Sequence, residues 1–319
     1  MKILHVADIH INLHKKKIPY EWQLNRFNAL FQKLLELEQD CDVVVLAGDI
    51  FDKKPEPDEI CVFLSYANSV TKPTLAIPGN HEASTKGNTF LEHFETENAI
   101  NNKNFILHTK NARTVINGQG FQLFPYGEMQ VGNIPTYVEG DILITHIRGE
   151  VPPHITAEFD FDKLKPWPLT LLGDLHFNHK YKDYNVYYSG SPINTTFDRD
   201  ASREYGVNII DYTDADNYSI EFVDLGLPKL IRKTVDVSTE LVADKFHHVV
   251  YEVTGTIDNL SKIKNHELLD KKIADKPSEN SVLDLTDKSL LEELSLYLDF
   301  IKVENKNSVL KLFSKLGIK

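Results

Sequence analysis

The chain opens on an apolar run, KILHVA, that stops at Asp8-Ile9-His10. The same break from apolar to polar recurs after VVVLA, TLAIP, DILIT and LTLL. The residues that follow are Gly48-Asp49-Ile50-Phe51-Asp52, Gly79-Asn80-His81-Glu82, His146 and Gly173-Asp174-Leu175-His176. Short, unbroken apolar runs predict strands buried on both faces. They fall at 2–7, 42–47, 74–78, 141–145 and 169–172. Between the first three, residues 20–38 carry Trp22, Phe27, Leu30, Phe31, Leu34 and Leu35 at helical spacing. A second helix over about 57–70 starts with Pro57, which is tolerated in a first turn. The β-α-β-α-β order implies parallel strands joined by right-handed crossovers.

From 105 to 126 the pattern shortens, and Asn117-Gly118 between RTVI and FQLF marks a hairpin. Further strands are expected at 185–189, 205–211 and 218–223. The predicted fold class is α/β, with two packed mixed sheets flanked by helices. After about residue 225 the composition changes. Two strand-like runs, TVDVS and HHVVYEVTG, alternate with helix-like polar stretches, which predicts a small α/β appendage. DKPSENS at 275–281 reads as a linker. Beyond it, Leu290, Leu294, Leu298 and Ile301 share one helical face, and Val309, Leu312, Phe313 and Leu316 share another. The expected units are therefore 1–225, 226–280 and 281–319. The apolar faces of the tail serve either to pack on its own domain or to dock a partner helix.

Composition narrows the function. The 319 residues are 41% apolar, enough for a full core. No apolar run approaches the roughly 20 residues that span a bilayer, and the start lacks a signal-peptide pattern. Cys41 and Cys61 form no CxxC pair and read as reduced thiols, so a cytoplasmic protein is expected. The net charge of −12 argues against a free-standing, non-specific DNA binder. It does not exclude a nucleic-acid substrate, because bound cations and local basic clusters invert the local field. Lys15-Lys16-Lys17 and Lys53-Lys54 follow the first two polar clusters directly. They are either solvated loop lysines or phosphate contacts.

In an open α/β sheet, ligands bind beyond the carboxyl ends of the strands. Five strands would deliver Asp, His, Asn and Glu side chains to one such rim. Carboxylate, amide oxygen and imidazole together suit Mn²⁺, Fe²⁺ or Zn²⁺. A binuclear site activates a water and neutralises charge at phosphorus, as phosphodiester hydrolysis requires. Asp49, central on the rim, is the candidate bridging carboxylate. Asp8 and His10, two apart at a strand end, would hold one ion with His176. Asn80, His146 and Asp174 would hold the other. His81, adjacent to Asn80, should point elsewhere and protonate the leaving oxygen or stabilise charge at phosphorus. Asp52 would orient His81 or a ligand, and Arg148 would contact a non-bridging phosphate oxygen. His5, inside the first strand, reads as a core residue.

Together, D-x-H, G-D-I-F-D, G-N-H-E, the histidine of T-H-I-R-G, G-D-L-H and S-G-S-P resemble the calcineurin-like metallophosphoesterase superfamily. Within it, GDIFDKKPEPDEI and YYSGSPINTTFDRDASREYGVNIID resemble the SbcD-type nuclease subunits of bacteria and phages. The resemblance implies a Mn²⁺-dependent 3′→5′ exonuclease on double-stranded DNA ends, with endonuclease action on single strands in DNA repair and recombination. Mg²⁺ or Fe²⁺ are possible substitutes. It also implies a homodimer bound, as a heterotetramer, to an SMC-like ABC ATPase of the SbcC type. The appendage would be a DNA-capping domain and the tail an ATPase-docking helix pair. The family's metal positions map to Asp8, His10, Asp49, Asn80, His146, Asp174 and His176, and its catalytic histidine maps to His81. One departure stands out: the last motif is usually G-H-x-H, and here a carboxylate, Asp174, replaces one imidazole. The competing expectations are another phosphoesterase, acting on small molecules or phosphoproteins, and a non-catalytic scaffold on the same fold.

Overall fold

The first strand and helix show how the chain builds its layers. β1 (Lys2–Val6) turns Leu4 and Val6 to one side and Ile3 and His5 to the other. α1 (Tyr20–Glu38) then lays Phe27, Leu30, Phe31 and Leu34 against the Leu4 and Val6 side. The computed structural model describes all residues except 85–86, 97–98, 151–155, 182, 275–282, 284, 286–287 and 316–319. The expected linker at 275–281 lies outside the described residues, as does Leu316.

β2 (Val43–Ala47), α2 (Pro57–Ser69), β3 (Thr74–Ile77), the short α3 (Glu92–Thr96) and β4 (Phe105–Leu107) continue the first sheet. β1 to β4 are mutually parallel. α2 starts at a capping box in which Glu56 and Glu59 satisfy each other's main-chain N–H groups, with Pro57 in the first turn. The buried Glu59 carboxylate also accepts the N–H of Leu13 at 2.7 Å, tying the loop after β1 to the helix. Phe63 of α2 is fully buried beside Phe51 and Phe105. Truncating such a phenylalanine to alanine costs about 3–5 kcal/mol.

The second sheet follows: β5 (Ala112–Ile116), β6 (Gln119–Phe124), the short α4 (Tyr126–Gln130), β7 (Ile142–His146), β8 (Thr170–Gly173), β9 (His179–Tyr181) and β10 (Val186–Tyr188). β5 and β6 form the expected hairpin, with φ of 50° at Asn117 and 85° at Gly118, the left-handed pair such a two-residue turn requires. β11 (Gly206–Asp214) and β12 (Asn217–Asp224) return to the first sheet. Its order is β12-β11-β1-β2-β3-β4, and that of the second sheet is β5-β6-β7-β8-β10-β9. Ile3, Val43, Val45, Leu75 and Ile77 meet Phe121, Leu123, Ile142, Ile144 and Leu171 between the sheets. His5 sits in this interior, and burial pushes it down to about 3, so it is a neutral core residue as expected.

The appendage departs from expectation in one respect. β13 (Leu230–Asp236) overlaps the first strand-like run and extends ahead of it, β14 (His248–Gly255) lies within the second, and α5 (Ile257–Lys262) follows. A third strand, β15 (Leu269–Ala274), then adds parallel to β14. Its sequence, LDKKIA, reads as polar because edge strands carry lysines that discourage further pairing. The tail forms α6 (Leu290–Phe300), opened by a Ser289–Glu292 capping box, and α7 (Lys306–Lys315) packed against it. Among the described residues no helix is long and apolar enough to cross a membrane.

Candidate metal centre

Two loops build the floor of the site. After β1 and β2 the chain continues side by side: Asp8 N–H donates to Gly48 O (3.1 Å), His10 N–H to Asp49 O (2.9 Å) and Ile11 N–H to Ile50 O (2.8 Å). This pairing brings Asp8 and His10 up against Asp49 and Asp52. Asp8, His10, Asp49 and Asp174 have φ of 53°, 51°, 51° and 103°. Each is a strained conformation for a residue with a side chain, and four in one rim mark a site the surrounding packing holds in place. Close approach is needed as well. A Cβ on Gly79 would collide with Asp49 Oδ1, and one on Gly173 would collide with Ala47 O and His146 Nδ1.

Among the described residues, three donor groups converge there: Asp8 with His10 and His176, His10 with Asp49 and His81, and Asp8 with Asp49 and His146. His10 Nε2 faces His176 Nε2 at 3.0 Å and lies 3.4 Å from Asp49 Oδ2. On the other side, His146 Nε2 is 3.5 Å from Asp49 Oδ1. His146 Nδ1 meets the carbonyl of Ala47 at 2.8 Å, which leaves Nε2 directed into the site. The Asn80 amide sits 3.0 Å from His146 Nε2 and 2.9 Å from Asp49 Oδ2. Its NH₂ suits a bare carboxylate there, and its oxygen suits a cation.

Charge in this pocket is arranged for cations. Burial, helped by Asp49, pushes Asp8 up to about 7, against the pull of His146 and His10. Burial would also raise Asp49, but His146, His10 and His81 outweigh it and hold Asp49 well below the usual carboxylate range. Burial disfavours a charged His146, yet Asp49 and Asp8 push it up to about 10. Burial and His10 push His176 down to about 4. Two facing imidazole nitrogens and two buried carboxylates are a donor set that fits divalent ions.

The remaining expected residues distribute as follows. Asp52 directs its carboxylate to Asn12 Nδ2 (2.6 Å) and lies 3.5 Å from His10 Nδ1, while its carbonyl meets His81 Nδ1 at 2.6 Å. It therefore buttresses both histidines. His81 is exposed, its Nε2 3.9 Å from Asp49 Oδ2, and its main-chain N–H donates to Asp49 Oδ1 at 2.9 Å. Asp174 belongs to none of the three donor groups. Its carboxylate takes both Nε and Nη2 of Arg148, at 2.9 and 3.2 Å. Arg148 is thus engaged with Asp174 rather than open to phosphate.

Of the lysines, Lys15 donates to the carbonyl of Thr195 and lies 3.9 Å from Asp52. Lys17 pairs with Asp270 of the appendage. Lys16 and Lys53 are exposed.

Two residues escaped the sequence reading as working parts. Glu82 accepts the main-chain N–H groups of Asp49, Phe51 and Gly79. Thr195 Oγ1 meets His176 Nδ1 at 3.2 Å. The glutamate of G-N-H-E was visible, but its partners were not. Thr195 lay in the N-T-T that follows S-G-S-P.

Residues 1–223 match the calcineurin-like phosphoesterase family. The chain belongs to that family. It is 34% identical over 305 residues to a protein of Escherichia phage T5 named probable exonuclease subunit 1, covering 93% of this chain and 92% of the relative. A solved structure from Thermus thermophilus is 14% identical, with a TM-score of 0.45, covering 70% of this chain and 98% of that one. A conserved uncharacterized protein of Streptococcus pneumoniae is 12% identical, with a TM-score of 0.34, covering 70% and 89%. Membership makes the chain a metallophosphoesterase, and its His and Asp clusters are consistent with divalent metals.

Proposed function

We propose that the chain is a DNA nuclease working with two divalent ions, Mn²⁺ preferred over Mg²⁺ or Fe²⁺. It acts as a 3′→5′ exonuclease on double-stranded ends and as an endonuclease on single strands. The observation that carries this reading is Asp49, a buried carboxylate with imidazole donors converging on both of its oxygens. The relative named as an exonuclease subunit supports the choice of substrate.

In this reading Asp8, His10, His176 and Asp49 would hold the first ion, and Asp49, Asn80 and His146 would hold the second, with Asp174 as a further ligand. Bound there, divalent ions would supply charge neutralisation at phosphorus and a more acidic water. His81 works from the rim. With Nδ1–H donating to the Asp52 carbonyl, its imidazolium form presents Nε2–H to the leaving oxygen. Asp52 keeps His10 and His81 in register from behind. Lys15, Lys16, Lys17 and Lys53 supply positive charge along the approach, with Lys17 also fastening the appendage.

Residues 1–225 form the nuclease domain, 226–280 a DNA-capping domain and 281–319 a docking element for an SMC-like ABC ATPase. The complex would be a heterotetramer built on a homodimer, in the cytoplasm. Exposed Leu290, Tyr297 and Phe300 on α6, Ile301 at its C-terminal cap and Leu312 on α7 support the docking role. The name of the phage T5 relative includes the word subunit, which agrees with an assembly.

The test is nucleotide release from blunt duplex DNA labelled at its 3′ ends, in Mn²⁺, in Mg²⁺ and with chelator, for wild type and Asp49→Ala. Metal-dependent release abolished by the substitution supports the reading. Turnover of p-nitrophenyl phosphate with no release from DNA, even with the ATPase present, would reject it.

A further inference from the structure

Asp174 stands at the end of β8, two residues before His176, and Arg148 stands two residues beyond His146 at the end of β7. Adjacent parallel strands therefore deliver one acidic and one basic side chain to the same edge of the cluster. Their pair is two-pronged, Nε to Oδ2 at 2.9 Å and Nη2 to Oδ1 at 3.2 Å. The Asp174 side chain is 4% exposed and that of Arg148 is 38% exposed. Forked guanidinium–carboxylate bonds are strong and directional, and burial of the acid weakens screening by solvent.

We propose, resting on the two-ion reading above, that Arg148 competes with the second ion for Asp174. Arrival of that ion then frees the guanidinium for phosphate. Three features make the exchange possible. First, Asp174 is anchored by its main chain, whose N–H donates to Asp8 Oδ1 at 3.0 Å and Oδ2 at 3.2 Å. Its carboxylate can change partners without releasing Asp8. Second, Arg148 has another place to rest: Glu158 Oε1 lies 3.5 Å from its Nη1, and the Glu158 N–H donates to the Arg148 carbonyl at 3.0 Å. Third, Asp174 stands close enough to His146 and His176 for its charge to act on both. A fixed guanidinium balances that charge until a cation takes its place.

The consequence is a graded site. The first ion, among Asp8, His10, His176 and Asp49, binds independently of Arg148. The second must displace a guanidinium, so its affinity is lower than its ligand count suggests. A phosphate group that draws Arg148 away would raise it, because coupling between ion and phosphate is reciprocal.

The test is Mn²⁺ binding to the full chain, followed by calorimetry and by electron paramagnetic resonance of free Mn²⁺. The variants are Arg148→Met, Arg148→Lys, Asp174→Asn and the double variant Arg148→Met with Asp174→Asn. Thermal melts check that each is folded. Arg148→Met should tighten the second ion at least ~tenfold and leave the first within about twofold. Arg148→Lys, which keeps the charge but loses the fork, should give a smaller gain. Adding Asp174→Asn should abolish the gain. Wild type binding one ion and Arg148→Met binding two would support the proposal equally. Equal tightening of both ions would overturn it in favour of a general field effect, and so would a gain that survives Asp174→Asn or no change in the second ion. Failure of both wild type and Arg148→Met to bind any ion would reject the two-ion reading itself, and the competition with it.

Discussion

Glu82 Oε2 accepts the main-chain N–H of Asp49 at 3.1 Å, so the central carboxylate of the site is held from below by another carboxylate. The same oxygen accepts Gly79 at 2.7 Å, and Oε1 accepts Phe51 at 2.6 Å. Burial, with the nearby charge of Asp49, pushes Glu82 up to about 7. Glu82→Ala strands three buried N–H groups. At about 1–3 kcal/mol for each unmet donor, a loss on the order of 3 kcal/mol is expected. Hydrolysis of bis(p-nitrophenyl) phosphate should fall at least ~100-fold as Asp49 drifts. A melting temperature equal to wild type would contradict this account.

His81 differs from the other site histidines in being exposed, and its main-chain N–H donates to the Asp49 carboxylate. In the proposed two-ion site, with His81 as the proposed proton donor, His81→Asn should keep both ions and lower kcat by about 10²–10⁴-fold. Metal stoichiometry and single-turnover cleavage, measured on one preparation, check this. Loss of an ion would instead make His81 a ligand, which its place in the group with His10 and Asp49 also allows.

Glu252, buried on β14, accepts Arg199 Nη2 at 2.9 Å through both oxygens and Lys271 Nζ at 2.8 Å, with Arg232 Nε 3.6 Å away. Burial would raise its carboxyl, but Lys271, Arg199 and Thr234 outweigh this and pull it from 4.5 down to about 2. A carboxyl depressed in the folded state stabilises the fold above its unfolded value and ceases to do so on protonation. Its contribution is therefore whole above about pH 5 and disappears as pH falls from 4.5 towards 2. Urea midpoints against pH should drop more steeply in wild type than in Glu252→Gln across that window. Parallel curves would show that the cluster does not tie β13, β14 and β15 to the loop that carries Arg199.

α6 and α7 pack on each other and leave Leu290, Leu291, Tyr297, Phe300, Ile301 and Leu312 exposed. A chain ending at residue 285 should keep its divalent-metal binding and lose no more than about 1 kcal/mol of stability, since surface changes rarely exceed that. Binding of the proposed ATPase partner should be abolished. Loss of metal binding would mean that the tail is part of the core.

The elements were legible where the chain repeats a simple period. The helix expected at 20–38 spans Tyr20–Glu38, and the strands at 42–47 and 74–78 appear as Val43–Ala47 and Thr74–Ile77. Asn117-Gly118 announced its hairpin because few other residue pairs accept two left-handed conformations. β15, α3, α4 and β9 were not legible. The first is a lysine-bearing edge strand, and the others are three to five residues long, too short to show a period.

Taken alone, the sequence determined which side chains reach the rim, because every polar cluster follows directly on a buried strand and parallel strands end on one side. Only the tertiary structure decided how those side chains divide among partners. Arg148 and Asp174 are 26 residues apart and meet because β7 and β8 are neighbours. Lys17 and Asp270 are 253 residues apart and meet because the appendage folds back on the loop after β1. Hydrophobic period is a local property, read from residues a few positions apart. Charge pairing depends on which loops the sheets bring within a few ångströms, and no local pattern records that.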